Sequence, residues 1–162
     1  MTTIERIQEG IKAAMKAGDK ARLTVLRSLL NDLENAGIEK KGEGAASAAG
    51  PLELLSEEDV LRVLQAAAKR RRESIEQYGA GGRADLVAQE EAELAVVQEF
   101  LPQPLTDEEV ESLVREVVAE LGASGMQDMG RVMKEATVRA AGRADGKRLS
   151  GVVRRLLAEA GS

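Results

Sequence analysis

Apolar residues return every third or fourth position along almost the whole of this 162-residue chain. Ile4, Ile7, Ile11 and Met15 make a first stripe, and Leu23, Leu26, Leu30 and Leu33 a second. Val60, Val63, Leu64, Ala67 and Ala68 make a third, continued by Ile75 and Tyr78. Leu86, Leu94, Val97 and Leu101 make a fourth, and Val110, Leu113, Val114, Val117 and Leu121 a fifth. Met129, Val132, Met133 and Ala136, then Leu149, Val152, Val153, Leu156 and Leu157, complete the series. This spacing gathers apolar groups on one side of a helix. No stretch alternates with period two for long enough to be a strand. The chain therefore reads as all-α: an N-terminal bundle of about four helices and a small C-terminal domain of three.

The punctuation agrees. Thr2-x-x-Glu5 and Thr106-x-x-Glu109 are capping boxes. Ser56-Glu-Glu-Asp59 puts acidic groups in a first turn, where the helix dipole favours them. Gly18, Gly37 and Gly122 are placed as helix stops, and Asp19 can cap the second helix. Gly79-Ala-Gly-Gly82 breaks helix three. A fourth helix is predicted over Asp85–Leu101, stopped by Pro102 and Pro104. Pro-Gln-Pro is the natural boundary, with domains at 1–101 and 106–162. Between helices two and three, Glu39 to Pro51 (EKKGEGAASAAGP) has no apolar period and reads as a flexible surface loop, 39–51.

Composition narrows the chemistry. One Phe, one Tyr and no Trp leave an aliphatic core. Without Cys or His there is no disulfide, Cys nucleophile, imidazole base or Cys/His metal site. No metal or cofactor is expected. MTTIERIQEG does not read as a secretory signal, and no run of about 18 apolar residues would span a membrane. The expected location is the cytoplasm.

Net charge is −5, unevenly spread. Residues 1–125 hold 15 Lys+Arg against 24 Asp+Glu; residues 126–162 hold 8 against 4. A tail of opposite sign suits an anionic partner. Within it, Gly142–Ser150 reads GRADGKRLS. This is not a P-loop. Three residues, not four, separate Gly142 from Gly146, and Arg148 follows Lys147 where a hydroxyl is needed. Gly142 serves as a left-handed stop and Asp145 as a cap. Lys147 and Arg148 then fall at a helix start, where cations oppose the dipole by about 0.3–1 kcal/mol each. A bound anion would offset that cost.

Other charged groups have ordinary explanations. Arg131 and Lys134 share a helix face, while Arg139 can pair with Glu135. Arg154 and Arg155 suit a helix C-terminus. Lys69-Arg-Arg-Arg72 spreads over about 300° of a helix and is not one patch. Glu90, Glu91 and Glu93, or Asp107, Glu108 and Glu109, could supply paired carboxylates, but solubility and capping explain both groups. No catalytic constellation stands out.

Several motifs, in order, resemble the YqeY family. They are Lys20–Arg27 (KARLTVLR), Arg83-Ala-Asp-Leu-Val87, Glu90/Glu91, Glu93-Leu94 and Phe100-Leu-Pro102. Leu105-Thr-Asp-Glu-Glu109, Asp128-Met-Gly-Arg-Val-Met-Lys134 and Gly142-Arg-Ala-Asp-Gly146 continue the pattern. The resemblance covers nearly the whole chain. The departure is the Gly/Ala/Ser-rich loop after Lys41, longer than the family pattern. The family is similar to the tail domain of the B subunit of the aminoacyl-tRNA amidotransferase. It is also similar to a domain appended to some glutaminyl-tRNA synthetases. The resemblance implies a helical bundle joined to a three-helix tail, with tRNA as ligand and the chemistry elsewhere. It implies RNA contacts at Gly130, Arg131, Lys134, Arg143 and Lys147; the dipole argument adds Arg148. The expected function is a tRNA-binding accessory module for aminoacyl-tRNA synthesis or tRNA-dependent amidation. A synthetase or amidotransferase is its expected protein partner. The alternatives are a glutamine-dependent carbon–nitrogen ligase and a protein–protein adaptor.

Overall fold

A computed structural model of the chain describes residues 1–42 and 50–161. They form seven α-helices and two short 3₁₀ turns, with no strand among the described residues. The helices are α1 (Thr3–Ala17), α2 (Lys20–Gly42), α3 (Glu57–Ala80), α4 (Ala84–Gln98), α5 (Asp107–Leu121), α6 (Met129–Ala140) and α7 (Gly146–Ala160). The chain divides into two compact units, Met1–Leu101 and Pro102–Ser162. None of the described helices is long and apolar enough to cross a membrane.

In the first unit, α1 pairs with α2 and α3 with α4. All three predicted N-terminal signatures form full capping boxes, at Thr2/Glu5, Ser56/Asp59 and, in the second unit, Thr106/Glu109. Gly18 closes α1 in the left-handed region, φ 68°. Asp19 Oδ1 then accepts the Arg22 N–H at 3.1 Å. The apolar stripe of α2 is wider than predicted: Val25 and Leu29 are buried beside Leu26 and Leu33. The reason is tertiary, because α2 touches α1, α3 and α4.

Two predictions here are corrected. Gly37 does not end α2; it is a buried position inside it. A Cβ there would lie 2.1 Å from the Pro51 carbonyl oxygen. The missing side chain lets the 3₁₀ turn Pro51–Leu54 sit directly on the helix. The predicted loop 39–51 is correspondingly shorter, since residues 39–42 are helical and Pro51 opens the turn. Its positions 43–49 lie outside the described residues.

Helix α4 ends at Gln98, three residues before the predicted Leu101, in a turn that buries Phe100. Proline at 102 disfavours helical geometry just before it. The turn is pinned from α1 and α2. Arg6 lies 5.2 Å from the Phe100 ring centre and donates to the Glu99 carbonyl at 3.0 Å. Arg22 grips the Glu99 carboxylate with two bonds, 2.7 and 3.2 Å.

The second unit is built on Leu105, Val110, Val114, Val117, Val132, Ala136, Ala140, Leu149, Val153, Leu156 and Leu157. Small side chains let three short helices approach closely. Its core reaches back before α5, because Leu105 is buried and donates its N–H to the Arg143 carbonyl at 2.8 Å.

Candidate RNA-binding site

The six sequence-predicted contacts fall in two groups. Gly130, Arg131 and Lys134 occupy the start of α6. A Cβ on Gly130 would meet nothing within 4 Å, so packing does not require glycine there. Gly130 and Lys134, four residues apart, share an exposed face. Lys134 forms no ion pair among the described residues. Arg131 turns back to Asp128 at 2.7 Å. That guanidinium, helped by the Ser124 N–H, holds the Asp128 carboxyl below the usual carboxylate range.

Arg143, Lys147 and Arg148 form the second group, in the α6–α7 turn and the first turn of α7. Asp145 caps α7 by accepting the Arg148 N–H at 2.8 Å. Gly142 is left-handed as predicted, φ 79°, but Ala141 before it is left-handed too, φ 49°. The helix therefore stops one residue earlier, on a side chain that disfavours that conformation.

The two arginines of this turn are spent inside the fold. Arg143 donates from Nε to the Gln103 carbonyl at 2.8 Å. Arg148 donates from Nη2 to the Leu105 carbonyl and to Asp107 Oδ1, both at 2.9 Å. Both are half-buried and clasp the segment leading into α5. The cation at the wrong end of the α7 dipole thus has an internal partner at the N-terminus of α5. Arg148 therefore needs no external anion to offset the dipole. Lys147 is exposed on the outer side of α7.

Elsewhere in this unit most cations are neutralised. Arg139 is bonded to both Glu120 and Glu135, which raises its already high pKa further, Glu120 contributing most. Arg155 meets Glu111 at 3.4 Å and Glu159 at 3.6 Å. Arg154 behaves differently: it is exposed and forms no ion pair among the described residues. It follows Lys147 by seven residues, so both lie on one side of α7, about 10 Å apart along the axis. Sequence reasoning set Arg154 aside as a helix-end charge. Its seven-residue spacing from Lys147 was the available signal. Lys134, beside Gly130 on α6, and Arg154 on α7 are thus exposed cations without an ion pair among the described residues, and Lys147 is exposed on α7. No group of three or more Asp or Glu that could hold a metal occurs among the described residues.

The family model for YqeY, described as Yqey-like protein, matches residues 4–157. The chain belongs to the YqeY family. Among its relatives is "Altered inheritance of mitochondria protein 41, mitochondrial" of Lachancea thermotolerans, 29% identical over 126 residues. The match covers 76% of this YqeY chain and 62% of that protein. The protein of the same name from Eremothecium gossypii is 31% identical over 98 residues, covering 60% and 48% of the two chains. That from Saccharomyces cerevisiae strain YJM789 is 27% identical over 106 residues, covering 65% and 52%. The YqeY chain thus spans roughly half to three fifths of the length of these curated relatives.

Proposed function

We propose that this YqeY protein is a tRNA-binding accessory module serving aminoacyl-tRNA synthesis or tRNA-dependent amidation. The RNA backbone lies against the outer faces of α6 and α7, and a synthetase or amidotransferase carries out the chemistry. The observation that carries the reading is the contrast among cations in the second unit. Arg131, Arg139, Arg148 and Arg155 are paired with carboxylates, whereas Lys134 and Arg154 reach solvent without one. Side chains of this kind neutralise phosphates and release counterions. Gly130, with open space where a Cβ would be, lets a sugar–phosphate backbone come close to α6. The lack of aromatics disfavours base stacking. Folded RNA would be read through phosphate, 2′-OH and shape. Cytoplasm and mitochondrial matrix both contain tRNA, so the reading fits either compartment.

Charge reversal tests it. Lys134→Glu with Arg154→Glu should lower affinity for bulk tRNA in a gel-shift titration. It should also reduce the slope of log affinity against log salt by about 2. Circular dichroism should be unchanged. Equal tRNA affinity in the double variant would remove the assignment.

A further inference from the structure

The first apolar stripe breaks at its last member. Spacing assigns Met15 to the face of Ile7 and Ile11, yet Met15 is 57% exposed and Ala14 is buried instead. Ala14 lies seven residues after Ile7 and returns to within about 20° of it, whereas Met15 overshoots by about 80°. The thioether therefore stands at the edge of α1. There Arg27 of α2 brings Nη2 to 3.9 Å from the Met15 sulfur. Arg27 forms no ion pair among the described residues. A thioether is only a weak acceptor. The guanidinium thus meets α1 with its donors largely unused by the fold.

The chain has no cysteine, so its five methionines hold all of its sulfur. Met129 and Met133 are half-buried against the core of the second unit. Met1 and Met126 are exposed, but neither sulfur has a donor beside it among the described residues. Met15 combines an open sulfur with a guanidinium next to it. Oxidation of methionine harms a core because it turns an apolar side chain into a polar one. At Met15 the added oxygen costs no core packing and finds a donor already in place.

We propose that Met15 is an oxidation site and that Arg27 holds its sulfoxide. The oxidant is a hydroperoxide, of which hydrogen peroxide is the simplest. A sulfur lone pair attacks one peroxide oxygen, and the S–O bond forms as the O–O bond breaks. The departing hydroxide takes the proton of the transferred hydroxyl and leaves as water. Sulfur is oxidised by two electrons and the peroxide is reduced. The sulfoxide oxygen then accepts from Nη2–H of Arg27, so a weak contact between α1 and α2 becomes a full hydrogen bond. Sulfoxide reductases reverse such a change. The site belongs to the first unit and does not depend on the RNA reading of the second.

The test exposes the intact chain to limiting hydrogen peroxide and maps the oxidised methionines by peptide mass spectrometry. Met15 should oxidise well before Met129 and Met133. Amide hydrogen exchange then reads the last turn of α1, residues 14–17. One added hydrogen bond should slow exchange there about fivefold. Arg27 is exposed, so Arg27→Leu should fold like wild type. Its Met15 should still oxidise, but without slower exchange. Met15→Leu should show no change on treatment. Oxidation of Met15 no faster than that of Met129 and Met133, unchanged or quicker exchange in the oxidised wild type, or equal slowing in Arg27→Leu would overturn the proposal.

Discussion

Arginines at odd positions in the two units meet different fates. In the second, Arg143 and Arg148 reach back some forty residues to carbonyls at Gln103 and Leu105, and so hold the turn before α7. In the first, Arg71 occupies a core register yet leaves a buried nitrogen unpaired beside a groove. The difference teaches that a cation in an odd place has two resolutions. The fold can pair it with a carbonyl or carboxylate, or leave one of its nitrogens unpaired. The helix dipole singled out Lys147 and Arg148 in the sequence, and the fold consumes Arg148.

The largest effect that sharpens this contrast comes from a glycine. Gly37→Ala forces a Cβ against the Pro51 backbone and should destabilise the first unit by about 3 kcal/mol in a urea melt. That exceeds the roughly 1 kcal/mol that alanine gains over glycine inside a helix. Next comes a matched pair. Arg148→Met leaves the Leu105 carbonyl without its donor and should cost about 1–3 kcal/mol. Arg71→Met removes an unpaired buried donor together with one hydrogen bond to the Ala67 carbonyl, so the two changes offset and stability should stay within about 0.5 kcal/mol of wild type. Equal losses would erase the contrast between the units. Smaller still, Ala141→Gly relieves a left-handed alanine and should raise the stability of the second unit by about 0.4–1 kcal/mol.

The smallest effect is in acid. The Lys40 ammonium, 2.6 Å away, together with the Ser56 N–H and hydroxyl, lowers the Asp59 carboxyl from its ordinary 3.8 to about 2. A depressed folded value means that its contribution is complete above pH 3.8 and is lost as pH falls towards 2. An NMR titration of the Asp59 carboxyl should find its midpoint near 2. Asp59→Asn should flatten stability against pH only in that window. A midpoint near 3.8 would contradict the cap geometry.

Much of the fold was legible because local chemistry determines it. Three capping boxes, the left-handed glycines at 18 and 122, and most of the apolar stripes stand in the sequence and in the structure, although Met15 of the first stripe is exposed and Ala14 is buried in its place. What was illegible depends on distant partners. Gly37 looked like a stop because the turn that presses on it lies fourteen residues later. Val25 and Leu29 looked peripheral because a sequence does not say which helix will be surrounded. Phe100 fell outside the predicted stripe because the helix carrying it ends early. The candidate RNA surface was partly legible. Lys134 and Lys147 are exposed as expected, whereas Arg143 and Arg148 are turned inward by carbonyls that no local pattern could announce.

The central claim is that the second unit meets RNA and the first does not. Chemical crosslinking of bulk tRNA to the purified intact chain, with peptides mapped by mass spectrometry, tests it most directly. The account predicts crosslinks at Lys134, Lys147 and the peptide containing Arg154, with none between residues 1 and 101. Crosslinks confined to the first unit would contradict it.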